Sequence, residues 1–535
     1  MNHDRNVESR WEYDDFELEI RKGDGPNTYV MDIDSPAGQA QEEMHWPFDE
    51  QELEKKLLSL ENAILRSGGT RRGISTPEEQ VAQDFGKDLF KALLADQVRT
   101  LYAMSLREAE RAGKGLRLRL HIQPPNLARL PWEFLYDAVH DEYLCLYPNT
   151  PLVRYLDLPD PIEQLQVSPP LRILGMVASP SGWDTLDVEH EKGLVEEAIK
   201  ELQARELVEL TWLEGQSWRD LQRYMRRGPW HVFHFVGHGG FDTKMDEGAV
   251  ILSDDAGRDY LLRAKHLGRL LDGHRSLRLV FLNSCEGARG SERDAFSSTA
   301  TTLVRKGIPA VLAMQYEITD EAAIEFSRDF YEAVADGMPV DAAVTEARRA
   351  VSFSSMLEWG TPVLYMRSRD GRIFDIEEQP VSGQSTKEYR SDLELYWQEG
   401  TLSYAEVERL ANLRQKLKLS SNVAASIERE VLGDTVEGTL KTQLNHYARV
   451  LRVCWRDRDP DARRHVADQM PREVVATLDR LVTDSTLTPA AAVGTLRSLA
   501  DELGLSEKQA AEVEREVLGR TVEEMLFAKP EELPP

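Results

Sequence analysis

At 535 residues the chain is too long for one core of usual size, so it is best read in segments. Apolar residues at 41% and charged residues at 30% exclude a disordered or fibrous chain. A net charge of −28 argues against a nucleic-acid groove or an anionic membrane as the main partner, because both reward clustered Lys and Arg, and it leaves room for a cationic substrate.

Residues 1–165 read as an N-terminal α+β segment. An acidic start leads into two helical stretches and then LRLRLHI, where Leu116, Leu118, Leu120 and Ile122 alternate with Arg117, Arg119 and His121. That period of two predicts a strand with one wet face. LPWEFLYD and YLCLYPNTPLVRYL follow as short aromatic-rich pieces, read as core or as a pro-segment or silent half-sheet, and the prolines of DLPDPIEQLQVSPP mark a boundary.

Residues 166–375 change to strands alternating with helices. LRILGMVAS, LVELTWL, HVFHFV, AVILSD, LRLVFLNSC, PAVLAMQY and TPVLYM are near-continuous apolar runs separated by helical patterns. Such runs predict an α/β fold with a mostly parallel sheet covered on both faces, whose active groups gather at the carboxyl ends of its strands. A linker is expected at 376–392, then a C-terminal helical domain over 393–535 containing two copies of a small helix pair, 402–440 and 487–526. Helix starts fall at Ser403 and Thr488 and again at Ser420 and Ser506, and the copies end in Gly433 and Gly519. Two copies suit a compact adaptor better than a solenoid.

Cys145, Cys285 and Cys454 are too few and too scattered for a disulfide framework or a cysteine-rich zinc site. Cys145 reads as strand core and Cys454 as a helix-packing residue. The N-terminus has no apolar core of signal-peptide length, and no run approaches the roughly eighteen apolar residues of a spanning helix, so a cytoplasmic protein is expected.

Two stretches carry chemistry. GHGG follows the HVFHFV strand and puts His238 in a glycine-rich loop at its carboxyl end, and LRLVFLNSCEG runs out at Asn283 and Ser284 with Cys285 at its tip. Two side chains delivered to one sheet edge suit a dyad in which an imidazole takes the thiol proton or stabilises the thiolate. The backbone N–H groups of Gly239 and Cys285 are the natural donors to an oxyanion. Three alternatives stand beside this: a core histidine with a core cysteine, a metal site on His231, His234 and His238, and a silent scaffold whose helical repeats recruit partners. The metal reading is disfavoured because a spacing of three in a strand sends His231 and His234 to opposite faces. No cofactor is expected. Asp242 either orients His238 or closes the turn after the glycines.

The HGGFD and LNSCEG blocks, followed by FSSTATTLVRKGIPAVLAMQYEITDEAA and FYEAVADGMPVDAAVTEARRA, resemble the CHAT family of caspase-like cysteine peptidases, relatives of separases, paracaspases and gingipains. The resemblance covers roughly residues 170–367. It implies a caspase-haemoglobinase fold, with His238 as general acid/base and Cys285 as nucleophile. It also implies a first specificity pocket built from the loop after the first strand, Asn283, two before the nucleophile, and the loop after PAVLAMQY. There Glu317 and Asp320 stand in YEITD, where separases carry WDVTD, and no arginine occurs of the kind that aspartate-directed caspases use. Cleavage after Arg, less often Lys, is therefore expected, with helix capping as the plain alternative for both acids.

Arg71, Arg72, Arg289, Arg293 and Arg369 lie in polar segments that read as loops, and self-cleavage or cleavage by an upstream peptidase there would make the protein a zymogen. The resemblance further implies an effector of bacterial antiviral defence or programmed death acting on protein substrates; separately, the C-terminal repeats are expected to recruit adaptor or effector partners.

Overall fold

The computed structural model describes residues 11–283 apart from 26, 68–75, 160–161, 184–185 and 255, then 295–377, 383–397, 402–417, 419, 421–436, 438–439, 447, 497, 500, 505, 507–518 and 521. The chain forms two compact units that succeed one another near residues 379–380.

The first unit is built on one eleven-stranded sheet. In chain order its described strands are β1 (Tyr13–Lys22), β2 (Thr28–Ser35), β3 (Gly38–His45), β4 (Gly115–Ile122), the short pair β5 (Tyr136–Asp137) and β6 (Glu142–Tyr143), β7 (Leu152–Tyr155), β8 (Leu165–Val167), β9 (Leu171–Val177), β10 (Val208–Trp212), β11 (Val232–Val236), β12 (Gly239–Asp242), β13 (Glu247–Ser253), β14 (Asp259–Arg263), β15 (Leu279–Asn283), β16 (Ala310–Met314), β17 (Pro362–Met366) and β18 (Phe374–Ile376). The large sheet runs β10-β9-β11-β15-β16-β17-β7-β4-β1-β2-β3. Strands β10 to β16 pair in parallel, β17 turns antiparallel to β16, and β7, β4 and β1 then follow β17 in parallel. The half built before residue 165 thus continues the same sheet in the opposite sense.

The expected mostly parallel α/β sheet is what forms, because its central strands are apolar on both sides. In β15, Leu279 and Phe281 enter one core with Phe326 and Phe330, while Val280 and Leu282 enter the other with Leu267 and Leu303. The helices Val188–Ala204 and Asp320–Ala335 supply the first layer, and Ala264–Leu271 and Ala295–Arg305 the second.

Two expectations are corrected. AVILSD is not a strand of the large sheet: it lies in β13, the centre of a separate antiparallel sheet β12-β13-β14 that begins one residue after His238. LRLRLHI has no wet face at its arginines, since Arg117 and Arg119 are buried. Arg117 pairs with Asp15 and Asp341, Arg119 with Asp15 and Glu17, and both donate to the Arg369 carbonyl. A ring of carboxylates and a crossing loop replace water around them.

In the second unit, Ser403 caps the helix Tyr404–Lys416, exchanging hydrogen bonds with Glu406, and the helix Ser421–Leu432 ends at Gly433, whose φ is +82°. Glu428 and Glu514 hold equivalent places in IEREVLG and VEREVLG. Each accepts a hydrogen bond from a buried tyrosine, Tyr389 at 2.5 Å and Tyr447 at 2.7 Å. The tyrosines open similar segments, YRSDLELYW and YARVLRVCW, so the repeat reaches further upstream than the helix pairs alone show. Thr488, Ser420, Ser506, Gly519 and Cys454 lie outside the described residues. Among those residues, no helix is long and apolar enough to cross a membrane.

Candidate active site

The site is set by the register of two neighbouring parallel strands. Val236, last in β11, is the register partner of Asn283, last in β15, and the Gly237 N–H donates to the Asn283 carbonyl at 3.2 Å. His238 follows Val236 by two residues, and Cys285 follows Asn283 by two. Glycine is required at 237, because a Cβ there would stand 2.7 Å from the Phe235 ring and 3.0 Å from the Ala178 carbonyl oxygen. The chain then turns straight into β12, with Gly239 opposite Val250 and the His238 carbonyl accepting from the Ile251 N–H.

His238 is 1% exposed. Its covering was not foreseen: the indole of Trp183, from the loop after β9, lies over the imidazole with ring centroids 5.4 Å apart and planes 34° apart. That loop is stitched down at three points. Ser181 donates through its backbone N–H and hydroxyl to the Gly257 carbonyl, Ser179 accepts from the Leu186 N–H, and the Ser179 N–H donates to the Gln216 side chain. Gln216 also accepts from the Ser253 hydroxyl, and stands between Gly215, at φ +97°, and Ser217, which caps the next helix with Asp220. A motif search centred on His and Cys passes over this frame, since its contacts are made by a distant tryptophan, a glutamine and serines.

The other histidines of the stretch are structural. His231 accepts the Arg172 N–H at its Nδ1, and burial with the nearby Arg172 charge lowers its pKa to about 4. His234 is stacked on Phe281 at 4.5 Å, bonds to the Tyr331 hydroxyl at 2.7 Å, and has its pKa lowered to about 3 by burial. No group of three metal-ligating side chains is found among the described residues.

Asp242 closes its own turn, accepting from the Lys244 and Met245 N–H groups, and pairs with Arg263 at 2.8 Å. Asn283 is buried, and its Oδ1 meets no donor among the described residues. Glu317 is half-buried before the helix Asp320–Ala335. That helix is capped by Thr319, not by either acid: Thr319 accepts from Ala322, and its own N–H and hydroxyl donate to Glu358. Asp320, in the first turn, holds His190 at 2.8 Å, which raises the His190 pKa by hydrogen bond and charge. Cys145 is fully buried, its sulfur donating to the Glu133 carbonyl, and burial pushes its thiol up to about 12. Arg369 is exposed, but its carbonyl is held by Arg117 and Arg119. Cys285, Arg71, Arg72, Arg289 and Arg293 lie outside the described residues.

A family model for the CHAT domain matches residues 83–360. The chain belongs to the CHAT domain family. CHAT proteins are caspase-like cysteine peptidases, the class that the two motif blocks suggest. The matched region of this CHAT chain begins at 83, well before the blocks, in the helix Pro77–Leu93 that lies between β3 and β4. Solved structures similar to the CHAT chain include the separase–securin complex of Saccharomyces cerevisiae, at 14% identity and TM-score 0.37, covering 68% of this chain and 30% of that one. A second structure of that complex has TM-score 0.36. The Arg-specific cysteine proteinase gingipain R is similar at 11% identity and TM-score 0.31, covering 59% of this chain and 75% of that one. This chain therefore spans less than a third of the separase chain. No curated protein matches it.

Proposed function

We propose that this CHAT protein is a cysteine endopeptidase acting through Cys285 and His238. The register partnership of Val236 and Asn283 carries the reading, since each residue of the pair is followed two positions later by one member of the dyad. His238 takes the Cys285 proton, and the thiolate attacks the scissile carbonyl carbon. The resulting oxyanion accepts from the Gly239 and Cys285 N–H groups, and His238 returns the proton to the leaving amine. Water, activated by His238, then hydrolyses the thioester and restores the thiol. Among the described residues, Cys145 is a poor alternative nucleophile, because burial keeps its thiol protonated near neutral pH.

Cleavage after Arg, less often Lys, follows from Asp320 with Glu317. Asp320 already carries an imidazole that its charge helps to protonate, so its position accepts a cation. The same reading makes the protein a cytoplasmic zymogen or effector in a bacterial defence or death cascade, cut at Arg71, Arg72, Arg289 or Arg293 and meeting partners through its C-terminal repeats. Arg369 is the weakest of the cleavage sites, because its carbonyl must first leave two buried guanidinium groups.

Peptides with Arg, Lys or Asp before the scissile bond test both levels. Cleavage of the Arg series is expected, abolished in Cys285→Ala and lowered about a hundredfold or more in His238→Ala. Asp preference overturns the specificity, and cleavage untouched by Cys285→Ala overturns the mechanism. Absence of cleavage by the activated wild type favours the scaffold.

A further inference from the structure

We propose that the amino edge of the central sheet, at the opposite end of β11 from His238, is a docking surface for an acidic segment of a partner protein. The register sets the starts of β11, β15 and β16 side by side, with Val232 level with Leu279 and Leu279 level with Ala310. Just before those starts, the Arg278 N–H donates to the His231 carbonyl and the Ala310 N–H to the Arg278 carbonyl. The segments entering the three strands, 226–231, 272–278 and 305–309, carry six cations, Arg226, Arg227, Arg275, Arg278, Arg305 and Lys306, in a chain of net charge −28. Their one carboxylate, Asp272, accepts from the N–H of its neighbour Gly273.

Five of the six are exposed and Arg278 is half-buried. Among the described residues none of them is paired with a carboxylate, and Glu163 reaches Arg278 by charge alone. On the small sheet beyond His238, by contrast, Arg258, Arg263 and Lys265 are paired with Asp254, Asp242 and Glu247. Helix ends account for two of the six, since Arg226 and Arg305 stand at C-termini whose dipoles favour cations, but the other four lie beyond those ends. Packing fixes two of these without neutralising them: Arg227 lies over the Tyr224 ring at 4.3 Å, and the Lys306 stem lies against Gly268, where a Cβ would stand 2.9 Å from its Cγ. Strands about 4.8 Å apart bring the three segments within about 10 Å, roughly one Debye length, so their fields add. Arginine forks suit carboxylate and phosphate alike. Base stacking, however, has no platform in these segments, because their one aromatic, Trp230, is buried with its indole N–H donating to the Tyr224 carbonyl. The net charge of −28 also repels a long polyanion outside the patch, which a short acidic peptide avoids.

The test is fluorescence anisotropy of a labelled Glu- and Asp-rich peptide with the full chain, beside its Gln and Asn analogue and a single-stranded DNA oligonucleotide of equal charge. The acidic peptide should bind, more weakly as NaCl rises from about 50 mM to about 300 mM, and the neutral analogue should not. Arg226→Gln, Arg275→Gln and Arg305→Gln combined should weaken binding about tenfold. Lys91→Gln, Arg107→Gln and Arg111→Gln combined, at exposed positions on the helices Pro77–Leu93 and Asp96–Arg111, should leave it unchanged. Absence of saturable binding, or equal affinity in wild type and the first triple variant, overturns the proposal. Tighter binding of the oligonucleotide than of the peptide, lost in the first triple variant, rejects a protein partner in favour of a nucleic acid. Should that variant lack the thermal transition of wild type, Arg275→Gln and Lys306→Gln take its place singly, each weakening the peptide about twofold. Unchanged binding in both then overturns the proposal.

Discussion

His231, His234 and His238 stand close in sequence, yet only the last is at the sheet edge. His234 shows what the buried ones cost. Its pKa falls from 6.5 to about 3 because burial disfavours the charged ring. Below pH 6.5 the unfolded chain takes up a proton there and the folded chain does not, so stability is full above 6.5 and declines as the pH falls toward 3. At pH 5 the loss from this residue is about 2 kcal/mol. Replacing His234 with Phe removes the titration but leaves the Tyr331 hydroxyl without its partner. The variant should therefore be less stable than wild type at pH 7.5, with the gap closing or reversing at pH 5, as read from denaturant midpoints. An equal gap at both values would mean that His234 does not titrate as its burial implies. At this scale His238 was legible, because GHGG after an apolar strand marks a strand end. Trp183 was not, because its contact depends on where a distant loop is folded back.

At the scale of elements, β4 shows why alternation can mislead. Arg117 and Arg119 alternate with leucines, and periodicity alone cannot distinguish water from a set of carboxylates on the polar side. Here Asp15, Glu17 and Asp341 surround the guanidinium groups, and the Arg369 and Asp370 carbonyls close over Arg117. Removing one member of such a buried set leaves charge without compensation, at a cost of about 3 kcal/mol. Arg117→Met is accordingly expected to lower stability by that order and to free the loop after β17. Limited trypsin digestion should leave the bond after Arg369 intact in wild type and cut it early in the variant. Equal cutting in both would show that the carbonyl contacts do not protect the loop. The C-terminal unit makes the complementary case: Ser403 and Gly433 mark the described helices Tyr404–Lys416 and Ser421–Leu432 from the sequence, but the pairing of Tyr389 with Glu428, and of Tyr447 with Glu514, shows only in the contacts.

For the molecule as a whole, the prolines of DLPDPIEQLQVSPP look like a domain boundary, and in the chain they do separate two strand patterns. The sheet nevertheless passes across that point. β17 lies between β16 and β7, so deleting residues 1–165 strips a hydrogen-bonded neighbour from a central strand. It also takes Phe134 and Tyr143 away from Trp359, with centroids 5.0 Å and 4.5 Å away, and Glu133 away from Gln315. Each buried aromatic is worth about 2 kcal/mol of apolar burial, and an open central edge is a template for aggregation. We expect a fragment spanning 166–379 to lack a cooperative thermal transition and to precipitate, while 1–379, which ends where the first compact unit ends, melts cooperatively and keeps the Cys285 alkylation profile of the full chain. If 166–379 folds alone and its Cys285 reacts as in the full chain, the N-terminal half is an accessory. If it does not, the half that carries neither residue of the proposed dyad completes the sheet whose strands β11 and β15 lead to them.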